Sequence, residues 1–556
     1  MRRLRRISCS ALRGKHGEAV TALSHPALGG PVLVQSKGND LGLWNIMRVE
    51  LIHAPIGVNQ KAVQATRPSL PLGLAYIAAV LRESGHDVSV LDAVQRKPDQ
   101  LTRDGRFHYI GLCPEEIAEA VSPEADVIGI GVMFSFTWSL AKRIVRLVKE
   151  RYPEKVVIGG GEHFTGMPEY SLRAAPLDYL VLGEGEETTR ELVDVLESGD
   201  RHPSSVNGLA YLEDGAFIQT EPRKRIRDLD SLPWPAWDLF EPEAYYFHGH
   251  VFGIDTGMTM PVLATRGCPY ACTYCSNPMM WGRRWYARNP ADVAAEMSHY
   301  HDKYGATNFP FHDLTAILKK DWIVEFCHEL LRLGLRVNWQ LPIGTRTEAI
   351  DREVTDLLKQ TGCNSITFGP ESGSERTRRL IGKQLDEQSL MRAVNAAVAS
   401  RLNVSSFFVI GFPHDTVTDL LQSVSLAFRL AVAGTNDIAL SCFFPIPGTR
   451  LYDELMAAGR IDLSDEFLLT PLFSMDAVVS EANNYCVNMS AYTLTLMKYV
   501  ILLTFYSWSF IVRPWRAFQL VWNVVRDRET CRLDIFLNDR KRRLLRKLGF
   551  RRRPAG

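Results

Sequence analysis

Cysteine is scarce: ten in 556 residues, seven of them scattered. That excludes the dense disulfide framework of a small secreted scaffold. A large net charge is missing too, the formal total being +1, so the chain as a whole is no bulk polyanion binder. The N-terminal segment MRRLRRISCSALRGKHG lacks the apolar core, roughly 7–15 residues long, of a secretory signal. The stretch YVILLTFYSWSFIV at 499–512 has no formal charge but only 14 residues, short of the roughly 20 that cross a bilayer. With 46% hydrophobic and 23% charged residues, the chain is neither disordered nor collagenous. Its length predicts three or four domains.

What charge there is lies unevenly. Residues 1–47 carry seven Lys/Arg against two acids, and residues 513–556 fourteen against four. A mildly acidic body with two basic tails points to a membrane surface or a nucleic acid. No RNA-binding motif or stacking platform accompanies the tails, so nucleic acid is not expected. Residues 1–46 read as a basic, disordered extension. RVELIHAP, right after Met47, opens a convincing domain, and Met47 is an alternative start. Three clustered thiols without a secretory signal imply a reducing compartment. The expected location is cytoplasmic, with peripheral contact at the inner face of the membrane where Trp and Arg flank the apolar stretch 499–525. Packing of that stretch on the neighbouring domain is the alternative.

Between 48 and 198 strands and helices alternate. RVELIHA, HDVSVLDA, DVIGIGVM, KVVIGGGEH and LDYLVLG read as strands, PLGLAYIAAVLRESG and SLAKRIVRLVKERY as helices, with 94–124 irregular. This is the pattern of an open parallel sheet covered on both faces, an α/β doubly wound domain. Ligands in such sheets sit beyond the carboxyl ends of the strands. Three strand ends here are glycine-rich or small: 133–137, 159–161 and 183–185. They would let a large flat ligand approach the backbone.

After a connector at 201–256, a second alternating series begins. PVLAT, NFPFH, VNWQLP, SITFGP, VSSFFVIGF and DIALSCFFP are six strand candidates separated by helical stretches. Six rather than eight repeats predict a partial (β/α)6 barrel at 257–460, with its site at the C-terminal strand ends. Residues 461–556 read as a mainly helical extension. The doubly wound domain would occupy 47–200.

The strongest motif follows the first barrel strand. TRGCPYACTYCSNP places Cys268, Cys272 and Cys275 in a C-x3-C-x2-C spacing. Three thiolates so close can grip one face of an iron–sulfur cluster and leave one iron open. A zinc site would need a fourth ligand; His299 and His301 lie in a helical stretch away from the loop.

This loop, with Tyr274 before its last cysteine and a βα barrel behind it, resembles the radical S-adenosylmethionine (SAM) superfamily. FHDLTAIL (311–318), ITFGPESGSERTRRLIGK (366–383), FFVIGFPHDT (407–416) and FFPIPGTRLYD (443–453) are similar to later segments of that barrel. At 414–415, His-Asp stands where the family has Gly-Glu. A doubly wound domain directly ahead of the barrel, with PLGLAYIAA, VIGGGEHFTGMPE and DYLVLGEGEET, resembles the cobalamin-binding class. The motif D-x-H-x-x-G is absent, HAPIGVNQ standing in its place.

The resemblance implies three cofactors: a [4Fe-4S] cluster on the three cysteines, SAM and cobalamin (B12). SAM contacts would come from Tyr274, Asp313, Glu371 and Gly411. Cobalamin contacts would come from Ser135, Thr137, Gly160, Gly161, His163, Gly183, Glu184 and Gly185. It further implies a 5′-deoxyadenosyl radical, a hydrophobic small-molecule substrate methylated at an unactivated carbon, and an electron donor of the flavodoxin or ferredoxin type. Oxidative cyclisation is the alternative outcome, and a B12 sensor without catalysis the alternative of another class.

Overall fold

Apolar β-branched runs between amphipathic helices are buried on both faces, so their strands line up in parallel. The chain is described by a computed structural model, which covers residues 46–59, 62, 67–199 and 203–547 together with three short strands nearer the N-terminus. Those strands, Leu12–Arg13, Ala19–Ser24 and Pro31–Gln35, pair antiparallel in a unit of their own, residues 1–46. The two longer strands of that unit are the apolar runs AVTALS and PVLVQ.

The second unit, Met47–Gly556, contains both larger sheets. The first is built from β1 (Arg48–His53), β2 (Asp87–Asp92), β3 (Val127–Gly131), β4 (Val156–Gly160), β5 (Tyr179–Val181), β6 (Leu209–Glu213) and β7 (Ala216–Gln219). Its order is β2-β1-β3-β4-β5-β6-β7, the first five parallel and the last two antiparallel. The switch point lies between β1 and β3, where doubly wound sheets hold their ligands. Helices α1 (Leu72–Glu83) and α3 (Glu186–Glu197) cover one face, and α2 (Trp138–Arg151) the other. The span 94–124, expected to be irregular, contains a hairpin, Leu101–Asp104 with Phe107–Ile110, and Ile56–Val58 pairs with it. Its turn is the two-residue loop Gly105-Arg106, with Gly105 at positive φ in the first central position, a usual chemistry of a tight hairpin.

The second sheet is parallel: β8 (Asn308–Pro310), β9 (Asn338–Thr345), β10 (Cys363–Glu371), β11 (Asn403–Ile410) and β12 (Asp437–Cys442), in that order. The first barrel strand expected at 261–265 is reduced to single parallel bridges, Thr259 to Asn308 and Val262 to Phe311. Helices α4 (Pro290–Tyr304), α5 (Lys320–Leu333), α6 (Arg352–Gln360), α7 (Glu387–Ala399) and α8 (Val417–Ala433) follow strands in turn. Local sequence sets their ends. Asn289 caps the Ala291 N–H before α4, Thr416 and Asp419 form a capping box on α8, and Gly305, Gly334 and Gly434 close helices in the left-handed region.

Past β12, α9 (Ala491–Val512) packs on α8 and β12 and takes the place of a sixth barrel helix. Leu494, Met497, Ile501 and Phe505 enter the core. Two further helices, α10 (Trp515–Val525) and α11 (Arg532–Lys547), close the C-terminal region.

Candidate active site

The cysteine loop hangs from Thr265–Arg266, a two-residue strand paired with Tyr286–Ala287. Gly267 begins it at φ +86, where a side chain would run into the Arg284 carbonyl. Asn277 donates to the Cys268 carbonyl at 3.0 Å, and the Thr273 N–H to Ile381 at 2.9 Å. The thiols lie half-buried and free. Burial pushes Cys275 up to about 12, with Cys272 and Cys268 adding to the rise, and burial also raises Cys272. Three thiolates this enclosed cannot stay charged together without a cation on them, so the donor set fits an iron cluster. The histidines a zinc site would call on are engaged elsewhere. His299 lies against Trp234, and His301 bonds the Ala306 carbonyl.

Cationic groups missed in the sequence flank the loop. Lys383 sits 3.0 Å from Glu371; burial pulls its ammonium down, but Glu371 and Cys272 outweigh it, and the net shift is upward. Arg346 lies over the Tyr270 ring at 3.8 Å. Glu371 ends β10 at φ +62, a rare conformation for a non-glycine residue. Burial, then Glu371, holds the Tyr274 phenol well above its usual range, and its ring meets Phe412 edge-on at 5.5 Å.

Asp313 is not left open to a ligand: it accepts from Thr265 Oγ1 at 2.6 Å and the Ala264 N–H at 3.2 Å, anchoring the root of the cysteine loop. Burial pushes its carboxyl up to about 7. Gly411 stands at φ +80. Its N–H and that of Phe412 each donate at 3.0 Å to Asp415, which also accepts from Thr377 at 2.8 Å. The residue that departs from the family pattern thus fixes the turn.

On the first sheet, the expected cobalamin contacts separate. Gly160 and Gly183 border open space, since an added Cβ would find nothing nearer than 3.9 Å and 4.0 Å. Met133 and Phe134 beside them are 64% and 50% exposed, an apolar rim that fits a broad flat ligand. Gly161 stands at φ +117, where a Cβ would lie 2.6 Å from the Val132 carbonyl. Ser135 Oγ lies 3.1 Å from His163 Nδ1, while Ser171 is 3.3 Å from Nε2. Both ring nitrogens are engaged, and burial takes His163 down to about 3. Thr137 donates back to Phe134. Gly185 packs near Ile77.

Glu184 points away from the rim. It accepts from Arg225 at 2.7 Å and Arg266 at 3.2 Å, and Glu186 accepts from Arg266 at 2.6 Å. Arg266 is the residue before Gly267, so two carboxylates of the first sheet grip the base of the cysteine loop. Its guanidinium lies over the Tyr76 and Trp281 rings. Glu162 is hydrogen-bonded to Ser276, next to Cys275. The helix Asn277–Met280 abuts Gly166 and Gly183, whose added Cβ atoms would meet Met279 Sδ and the Met280 carbonyl. The glycine rim and the cysteine loop therefore share one mouth.

The B12 binding domain model matches residues 63–193 and the Radical SAM superfamily model residues 262–427. A Pyrococcus horikoshii protein named as an uncharacterized methyltransferase is 32% identical over 414 residues, 74% of this chain and 84% of that protein. The chain belongs to the cobalamin-binding radical SAM family. It is a cobalamin-dependent radical SAM enzyme, with a [4Fe-4S] cluster, SAM and cobalamin as its cofactors. An anaerobic magnesium-protoporphyrin IX monomethyl ester cyclase of Rubrivivax gelatinosus is 27% identical over 444 residues, 78% of this chain and 74% of the cyclase. The structure of the radical SAM methyltransferase TsrM from Kitasatospora setae, with cobalamin and its cluster bound, is similar in fold. Its TM-score is 0.57 at 18% identity, covering 74% of this chain and 78% of that one.

Proposed function

We propose that this member of the family methylates an unactivated carbon of a small molecule with an apolar skeleton. The observation that carries the reading is the shared mouth. The turn after Cys275 seats on the glycine rim of the first sheet, so the groups held by each half meet over one substrate. When bound, SAM at the cluster supplies a hydrogen-abstracting carbon radical and methylcobalamin supplies the methyl group.

The chain's own part is holding and orienting. Cys268, Cys272 and Cys275 grip the cluster, with Lys383 and Arg346 offsetting their charge. Glu371, Tyr274 and Gly411 form the SAM wall, and Asp313 positions the loop root. Gly160, Gly161, Gly183, Ser135 and His163 shape the cobalamin seat, while Glu184 and Glu186 tie that seat to Arg266. Phe412 and Tyr274 pack against each other and keep water from the reacting centre. We assign the seat to residues 47–200, the barrel to 257–460 and the helical remainder to 461–556. An external flavodoxin or ferredoxin supplies the electron, and the C-terminal helices make peripheral contact with the membrane from the cytoplasmic side.

Iron, sulfide and cobalt measured per chain after anaerobic purification test the reading. About four irons and one cobalt are expected, and Cys275→Ala should lose the iron and reductive SAM cleavage. Cleavage by that variant at the wild-type rate would refute the assignment. The likeness to the Rubrivivax cyclase supports oxidative cyclisation as a second reading. Label transferred from deuterated-methyl SAM to product would favour methylation, and a product without label cyclisation.

A further inference from the structure

Helix α10 is built inside out. Its polar residues face the protein: Arg516 donates to the Thr435 carbonyl at 3.1 Å and also to Asn436 and Ser509. Buried Asn523 donates to Asp534 at 2.9 Å and Thr530 at 3.1 Å. Its apolar residues face outward, with Trp515 59%, Phe518 78% and Trp522 53% exposed, and Val521 and Val525 exposed beside them. The spacing 515, 518, 522, 525 is one helical stripe. A globular helix normally turns such a stripe inward.

The stripe continues on α9, whose Tyr492, Leu496, Leu503 and Ile511 are all exposed while its other face packs on the barrel. Arg513 pins the corner between the two helices, donating to the Ala431 and Ala433 carbonyls at the end of α8. Pinned in this way, and packed on the barrel through Leu494, Met497, Ile501 and Phe505, α9 lies along the protein surface. The apolar surface is therefore a fixed face rather than a span. At its edge Arg526 lies over the Trp522 ring at 4.6 Å, and both Arg526 and Arg528 are exposed. The chain then runs into a strongly basic segment, with ten Lys/Arg against three acids in 529–556.

We infer that the stripe of α10, with the outer face of α9, seats in the interfacial layer of an anionic phospholipid bilayer. Trp515, Phe518 and Trp522 enter the acyl boundary, and Arg526 and Arg528 meet lipid phosphates. Indole rings flanked by arginines suit that layer, and the basic segment complements its charge. The inference deepens the membrane contact proposed above and rests on that reading.

Anaerobically purified holoenzyme is sedimented with phosphatidylcholine vesicles, with and without phosphatidylglycerol, beside a Trp515→Ser, Phe518→Ser, Trp522→Ser variant. The wild type should bind the phosphatidylglycerol vesicles, more weakly as salt rises, and the variant roughly tenfold less. All three positions are exposed, so the variant should keep its circular dichroism, iron and cobalt. Those metal counts report on the radical SAM reading independently of sedimentation. Failure of the wild type to bind, equal binding to both vesicle types, or undiminished binding by the variant would each overturn the proposal. A dimer in solution that the triple variant dissolves, with no vesicle binding, would overturn it in favour of a second copy of the chain.

Discussion

Arg266→Met removes the cation that Glu184 and Glu186 share. Glu184 keeps Arg225 at 2.7 Å. Glu186 loses its 2.6 Å partner at a site where Arg266 and Glu186 side chains are only 4% and 7% exposed. Burial pulls the Arg266 pKa down, but Glu186 and then Tyr76 and Glu184 outweigh it and hold the group charged. Stranding one member of a buried pair costs about 3–5 kcal/mol. Methionine retains most of the apolar stem, so little of that comes from a cavity. Adding Glu186→Gln removes the stranded charge, and the double variant should recover roughly half of the loss, the contacts with Tyr76 and Trp281 staying absent. Denaturant unfolding followed by tryptophan fluorescence reads the effect, taking the first transition because a chain of this size can unfold in stages. Iron per chain, measured on the same samples, should fall in Arg266→Met because the residue roots the cysteine loop. A single variant within about 1 kcal/mol of wild type, well short of the stranding cost, would refute the reasoning. A double variant as unstable as the single one would refute it too.

Gly161→Ala puts a Cβ 2.6 Å from the Val132 carbonyl at φ +117; it should cost about 1–3 kcal/mol and lower cobalt per chain, and unchanged cobalt would count against the seat. Asp415→Ala orphans the N–H groups of Gly411 and Phe412 and the Thr377 hydroxyl. A loss of roughly 2–4 kcal/mol and weaker SAM binding with iron retained are expected from calorimetry and equilibrium dialysis. His163 is held neutral down to about 3 by burial, whereas the unfolded chain protonates it near 6.5. The unfolded state therefore binds the extra proton, and stability is full above about 6.5 and falls as pH drops toward 3. The difference in unfolding midpoint between wild type and His163→Gln, followed from pH 7 to pH 4, should shrink with acidification; a flat difference would show that His163 titrates normally.

The cysteine loop and the two parallel sheets were legible because their signals are local: a spacing of three thiols, glycines at strand ends, apolar runs of strand length. The hairpin that turns at Gly105-Arg106 was missed, because its flanking strands are short and polar and 94–124 read as irregular. Glu184 shows the harder limit. A Gly-Glu-Gly-Glu loop does not say which way its carboxylates turn, and the partner that decides it, Arg266, lies 82 residues on. Lys383 lay inside a segment already singled out, yet only the fold brings it back to Glu371. Helix α9 read two ways, as a membrane-contacting stretch or as one packed on the barrel, because its sequence is apolar nearly all round; its inner face packs on α8 and β12.

The seam where the two halves meet has one property that bears on traffic. At Gly166 a Cβ would lie 2.8 Å from the Pro447 carbonyl, and at Gly448 it would lie 3.0 Å from the Gly166 Cα. Main chain presses on main chain there, so no rotamer change can open a gap. Along that edge the doorway is welded rather than latched. A substrate leaving by it would need the halves to part as rigid bodies, a microsecond-to-millisecond motion.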